Sequence, residues 1–312
     1  KTRSNDDQGV QKEYYNTKQS GSDADFMDEL FLAANWLYKA TGEQSYLDKA
    51  EKEYLPNLGR ESQSTEYKYT WGYCWDDTMQ GAILLYAQNT GKQEWIDHVE
   101  KHLKYWTDGI SQEWGGEKKV SYTPDGLAWL TNWGSLRHAE NTAFLAMLAS
   151  DTIFKDNPTL SKKYSEWAKS QMDYALGDND LGMSYVLGMG EKNPINVHHR
   201  TASGVHDDHW NELGTVDEDG NPVKDPKWQT EYAHILYGAL EGGPSQDGSF
   251  KDNNASYENT EVAIDYNAGF TACLCAMINA YGGEPLADFP PEEEVKWSEF
   301  LVKASFNQKT DS

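Results

Sequence analysis

Three acids crowd the segment 250–268, FKDNNASYENTEVAIDYNA: Asp252, Glu261 and Asp265. A carboxyl shielded from water keeps its proton more readily than an exposed one, and that is what general-acid catalysis requires near neutrality. Asp252 lies in a polar loop, and Glu261 follows nine residues later. Asn259 and Thr260 are good N-cap types just ahead of it. Asp265 falls one helical turn beyond, on the same face as Glu261. The run AGFTACLCAMI (268–278) is apolar nearly all round, so the spacing predicts a buried helix from about Thr260 to Ala280 that would partly desolvate Glu261. Read without chemistry, Glu261 is a first-turn acid that complements the helix dipole.

Other clusters could do chemistry too. The loop 178–214 carries His198, His199, Arg200, His206, Asp207, Asp208 and His209. Their spacing matches no usual zinc pattern, and Arg200 would oppose a cation. Histidine and arginine do supply donors and acceptors in fixed directions, as sugar hydroxyls require. The stretch YTWGYCWDD (69–77) sets Trp71, Tyr73 and Trp75 beside two acids, and Trp129 and Trp133 flank the next loop with Arg137 one turn on. Each Trp suits a core, and each also suits stacking on a sugar ring, with an apolar face and one hydrogen-bonding edge. Asp25, Asp28 and Glu29 cluster at the first helix start, where they complement the dipole or, with turn carbonyls, suit calcium.

Composition narrows the partners. The 312 residues include 27 Lys plus Arg against 51 Asp plus Glu, a net charge of -24. Such a surface repels nucleic acid and anionic membranes, and a neutral polymer or a cation suits it better. With 12 Trp and 19 Tyr, the chain fits a carbohydrate ligand. No apolar run is long enough to span a membrane. No signal peptide is present, and the opening KTRSNDDQG reads as the middle of something longer. Cys273 and Cys275 point to different helix faces, so with Cys74 all three read as buried thiols rather than a metal or disulfide set.

These residues need elements to position them. Helices at 3.6-residue spacing recur in pairs: DADFMDELFLAANWLYKATG with QSYLDKAEKEYL, MQGAILLYAQNTG with QEWIDHVEKHLKYW, and SLRHAENTAFLAMLASD with LSKKYSEWAKSQMDYALG. Strand-like alternation is scarce. Repeated helical hairpins predict an all-α toroid or solenoid. The long polar loops 109–130, 178–215 and 241–259 favour the toroid, with the chemistry on one face. From Asp288 the tail changes character, with Pro290–Pro291, an acidic run and then EFLVKASF, which reads as a linker or as a surface arm. The length allows one large domain or two, and the change at Asp288 divides residues 1–287 from a 288–312 segment that reads as a linker or the start of a following module.

Two motifs carry a family resemblance. SYVLGMGEKNPINVHHR (184–200) and FKDNNASYENTEVAIDYNA resemble the two signature segments of the family 9 glycoside hydrolases, (α/α)6-barrel cellulases, and the likeness extends over about residues 14–285. The resemblance implies that this chain holds the C-terminal two-thirds or so of such a barrel and hydrolyses internal β-1,4 bonds of cellulose with inversion. It makes Glu261 the general acid, sets His198 and Arg200 on sugar hydroxyls, and gives Asp252 a supporting part. Tyr266 and Arg137 resemble subsite residues, Trp71 and Trp133 stand where glucose rings stack, and His138 replaces a usual Tyr. Asp28, Glu29 and Asp76, with carbonyls of Ala24 and Asp25, resemble a structural calcium site. The family's base, an Asp in a D-A-G-D motif, has no counterpart here, which implies an N-terminal segment of the same domain, on another chain if cleaved. The tail resembles a linker to a carbohydrate-binding module beyond residue 312. A cellulose substrate implies secretion. A non-catalytic glucan-binding or scaffold subunit, and an (α/α)6 glycosidase for another β-glucan, are the rival readings.

Overall fold

A computed structural model describes residues 26–113, 115–203 and 232–292. Helix α1 (Met27–Thr41) turns Phe31, Ala34 and Asn35 inward and stops at Gly42, whose φ of +73° lets its N–H cap Tyr38 O at 2.8 Å. Helix α2 (Gln44–Lys49) runs into one wide π turn, Ala50–Tyr54, and ends near Pro56, which has no N–H to continue the ladder. Helices α3 (Met79–Thr90) and α4 (Gln93–Trp106) form the second hairpin. In α4 the buried side chains Trp95, Val99, Leu103 and Trp106 fall on one stripe. The third pair is α5 (Ser135–Asp151) with α6 (Pro158–Leu176), where the Asn157 side chain caps α6 by accepting from Leu160 N at 3.2 Å.

Helix α5 is the centre of the fold. It packs against both α6 and a last helix, α9 (Ile264–Tyr281), and is buried nearly all round. Gly269 of α9 makes that approach possible, because a Cβ there would collide with Asn141 of α5. Between α4 and α5 lie two antiparallel two-stranded ribbons, β1 (Ile110–Ser111) with β2 (Glu117–Lys118), and β3 (Ser121–Tyr122) with β4 (Ala128–Trp129). They are the named strands among the described residues, so the chain is all-α with local hairpin ornaments. None of the described helices is long and apolar enough to cross a membrane.

Three expectations need correction. The last helix begins at Ile264, not Thr260: a single turn, α8 (Tyr257–Thr260), precedes it, and Glu261 between them is extended at φ −66°, ψ 145°. The cap residues have other work. Asn259 Nδ2 donates to Gly243 O at 2.8 Å, and Thr260 Oγ1 donates to Asn253 O at 3.0 Å. Second, α9 is buried on one face only, along Tyr266, Gly269, Phe270 and Cys273, while Ile264 is 91% exposed. Helix α5 covers one side of α9, and no described element covers the other. For the same reason Cys275 is exposed, whereas Cys74 and Cys273 are buried. Residues 293–312, with the expected module start, lie outside the described residues, as do Ala24, Asp25, His206, Asp207, Asp208 and His209.

Candidate active site

Glu261 owes its position to three stretches of chain. Behind it, His198 N–H donates to Thr260 O at 2.8 Å, so the 195–199 segment and the Thr260–Glu261 backbone meet in a single parallel bridge. In front, Trp133 Nε1 donates to Glu261 Oε2 at 2.7 Å and the Tyr266 hydroxyl donates to the same oxygen at 3.1 Å. Both donors use Oε2 and neither uses Oε1. Gly134 brings the donors together: its φ is +65°, and a Cβ there would lie 2.8 Å from the Tyr266 hydroxyl. Its N–H donates to Glu258 O at 2.9 Å, which ties the start of α5 to α8.

The surrounding cleft, about 440 Å³, is walled by Trp71, Trp133, Arg137, His138, Glu261 and Tyr266, all of them singled out from sequence. Trp75, Asp76 and Asp265 join them. Trp133 is 46% exposed and packs on Tyr257 at 5.0 Å between ring centroids, and Tyr257 in turn meets His198 at 5.8 Å. From sequence, Asp265 stood among the three acids of the segment and Tyr257 within the second motif, neither with a role of its own. The expected one-turn offset of Asp265 from Glu261 on a shared helix face does not hold, because Glu261 is extended ahead of α9, yet both acids line the cleft.

Arg137 has four neighbours. Its Nη2 donates to Trp133 O at 3.0 Å and to His138 Nε2 at 3.1 Å; Nη1 lies 3.6 Å from Asp265 Oδ2, and the guanidinium sits 5.0 Å from the Tyr266 ring centroid. Because an arginine can only donate, His138 Nε2 is the acceptor and its hydrogen rides on Nδ1. Burial first, and the Arg137 charge second, hold His138 well below the ordinary histidine range, so the ring is neutral. Among the described residues its Nδ1 is buried without a hydrogen-bond partner, pressed against Gly72, where a Cβ would come within 2.6 Å. Burial pushes the Asp265 carboxyl above the usual range, against the pull of Arg137.

Asp252 is outside this cleft. Its Oδ1 accepts from Asn196 N at 2.9 Å, while Oδ2 accepts from Ile195 N at 3.0 Å and Asn196 Nδ2 at 3.2 Å. Its position clamps the loop that leads to His198, and His198 Nδ1 donates to Asn254 O at 2.5 Å. Arg200 begins the short helix α7 (Arg200–Ser203) and is exposed.

The expected calcium ligands come together only in part. Asp28 Oδ2 accepts from Thr78 N at 2.6 Å and Thr78 Oγ1 at 3.1 Å. Glu29 Oε2 is buried without a partner among the described residues, and burial together with Asp28 pushes its carboxyl up to about 8. Asp76 does not join them: it accepts the Cys74 thiol at 2.9 Å, and the acid whose charge bears on Asp28 and Glu29 is Asp77, itself pushed up to about 7, chiefly by burial. No three His, Cys, Asp or Glu side chains converge on a metal-sized point among the described residues. Crowded, desolvated carboxylates with one orphaned oxygen fit an oxygen-seeking cation.

The sequence matches the model of glycosyl hydrolase family 9 over residues 1–274. The chain belongs to that family. Among its glycosyl hydrolase family 9 relatives, endoglucanase B of Cellulomonas fimi is 42% identical over 284 residues, 91% of this chain and 25% of that protein. Endoglucanase A of Bacillus pumilus is 38% identical over 90% of this chain and 39% of its own length. The endoglucanase CelQ of Clostridium thermocellum, solved with cellobiose and cellotriose, superposes with a TM-score of 0.73 at 46% identity, over 88% of this chain and 42% of that one. The family structures are (α/α)6 barrels, and the helical hairpins here follow that architecture. The chain therefore spans less than half the length of each of these three relatives.

Proposed function

We propose that this chain carries the acid half of an inverting site that hydrolyses internal β-1,4 bonds of cellulose. The observation that supports it best is Glu261, with Oε2 gripped by Trp133 and Tyr266 in the wall of an aromatic cleft. The CelQ complexes with cellobiose and cellotriose bear on the ligand class. In this reading Glu261 protonates the leaving glycosidic oxygen. Trp71 and Trp133 offer ring faces to glucose units. Arg137, His138, His198, Arg200 and Tyr266 bind or orient hydroxyl groups, and Asp252 supports the His198 loop.

Inversion needs a second carboxylate about 6.5–9.5 Å from the acid, with water between them. Both Asp252 oxygens accept N–H groups, Asp265 faces Arg137, and Asp76 takes the Cys74 hydrogen. We assign the base to a D-A-G-D segment of the same domain, a motif the 312 residues do not contain. Purified chain should therefore degrade carboxymethyl-cellulose poorly alone and well once that segment is supplied, releasing α-anomeric ends in proton NMR. Full activity without the segment would overturn the base assignment. Binding of cellotetraose without turnover, even with the segment, would make the chain a glucan-binding subunit instead. Cellulose is too large to be taken up, so the protein is assigned outside the producing cell; its confinement to the cell lysate would contradict this.

Asp28 and Glu29, with carbonyls of Ala24 and Asp25, are assigned to a structural calcium ion, which would supply charge neutralisation there. A ligand held a hundredfold above its Kd stabilises the folded state by about 2.7 kcal/mol. Millimolar calcium should accordingly raise the melting temperature by several degrees, and Glu29→Gln should remove the rise. Equal melting temperatures in calcium and in chelator would end this assignment.

A further inference from the structure

We propose that Asp265 is a positioning residue that acts through Arg137, holding the guanidinium against Tyr266 and Trp133 so that both keep their hydrogen bonds to Glu261 Oε2. The inference rests on Glu261 as the acid but assigns a part to residues that the acid itself does not touch. Arg137 is where the contacts converge. It reaches Trp133 through that residue's carbonyl and Tyr266 through its ring face, and these are the two side chains that grip Glu261. On its other side it meets the Asp265 carboxylate and the neutral His138 ring.

The packing leaves Arg137 few alternatives. Its side chain is 11% exposed and that of Asp265 is 18% exposed. Among the described residues, Arg137 Nε and Asp265 Oδ2 are both buried without a hydrogen-bond partner, so each depends on the ion pair for compensation. A buried guanidinium that loses its carboxylate is driven toward water. The exit lies through the cleft, where leaving means sliding off the Tyr266 ring and releasing the Trp133 carbonyl. His138 cannot replace Asp265, because an Nε2 lone pair supplies an acceptor but no charge. Asp265 also lines a second, apolar groove of about 510 Å³ beside the cleft, together with Trp75, Phe144 and Ile264. It therefore stands in the wall between the two spaces.

The test reads the Glu261 carboxylate itself and needs no turnover. Infrared difference spectra of the intact chain at pH 8, taken against Glu261→Gln, isolate the asymmetric stretch of that one carboxylate, whose frequency follows its hydrogen bonds. Asp265→Asn is expected to shift the band, as is Arg137→Met. The double variant should show the Arg137→Met shift and nothing added, the non-additivity expected of residues acting through one contact. An unshifted band in Asp265→Asn overturns the proposal. So does an Asp265→Asn shift that persists in full without Arg137, since Asp265 would then act on Glu261 directly. If Asp265→Asn fails to fold, Arg137→Lys decides: it keeps the charge and loses the planar fork. An unshifted band there overturns the proposal equally. Glu261→Gln that retained turnover would sink the acid assignment alone, because the band measurement stands apart from activity.

Discussion

Glu261→Gln should lower kcat on carboxymethyl-cellulose by about 10²–10⁴-fold, the range that general-acid catalysis supplies, in the chain combined with the segment that carries the base. Cellotetraose affinity should change little. The glutamine oxygen can still accept from Trp133 Nε1 and the Tyr266 hydroxyl, so the side chain keeps its place and the aromatic walls keep theirs. What disappears is the transferable proton. The loss should fall on kcat and on kcat/KM alike, because the proton is needed only on the way to the transition state. A substrate with a good leaving group, such as a dinitrophenyl cellobioside, should recover most of the rate, since its leaving oxygen departs without protonation. A variant that turns over at near wild-type rate, or one that is equally crippled on the activated substrate, would remove Glu261 from the role.

Much of this site could be read in the sequence, and the parts that could not share a cause. Helix hairpins were legible because Trp95, Val99, Leu103 and Trp106 repeat at helical spacing and because Gly42 and Gly91 end their helices in the left-handed region. Trp71, Trp133, Arg137, His138, Glu261 and Tyr266 do meet around one cleft. The split between α8 and α9 was hidden because Asn259 and Thr260 look like caps. Only the fold shows that Gly243 and Asn253, distant in sequence or across a loop, take their side chains. The pairing of Asp265 with Arg137 crosses 128 positions in the same sense as Trp133 with Glu261, and no local pattern encodes either. Asp76 and Asp77 are adjacent, so sequence alone does not say which turns toward Asp28. The structure turns Asp76 to Cys74 and leaves Asp77 near Asp28.

Glu140 gives the largest expected effect on stability. It lies on α5, fully buried, and both carboxyl oxygens lack a hydrogen-bond partner among the described residues. Burial, with the nearby Asp173 charge, pushes its carboxyl up to about 8. In the unfolded chain the same group titrates near its ordinary value, so the folded state binds the proton more tightly. The stability tied to that proton is fully present below about pH 4.5 and is lost as the pH rises toward about 8. At 1.36 kcal/mol per unit, the loss by pH 7 is about 3 kcal/mol. Glu140→Gln removes the titration and keeps the shape. The variant should match the wild type near pH 4 and exceed it by about 3 kcal/mol at pH 7, read from urea unfolding at a series of pH values. Glu241, also fully buried with both oxygens unpartnered among the described residues, is displaced in the same direction, so the wild type should lose further stability across this range. A Glu140→Gln difference that does not vary with pH would mean that Glu140 is ionised against a cation from outside the described residues. That outcome would place a basic partner against α5, the helix on which the whole site is built.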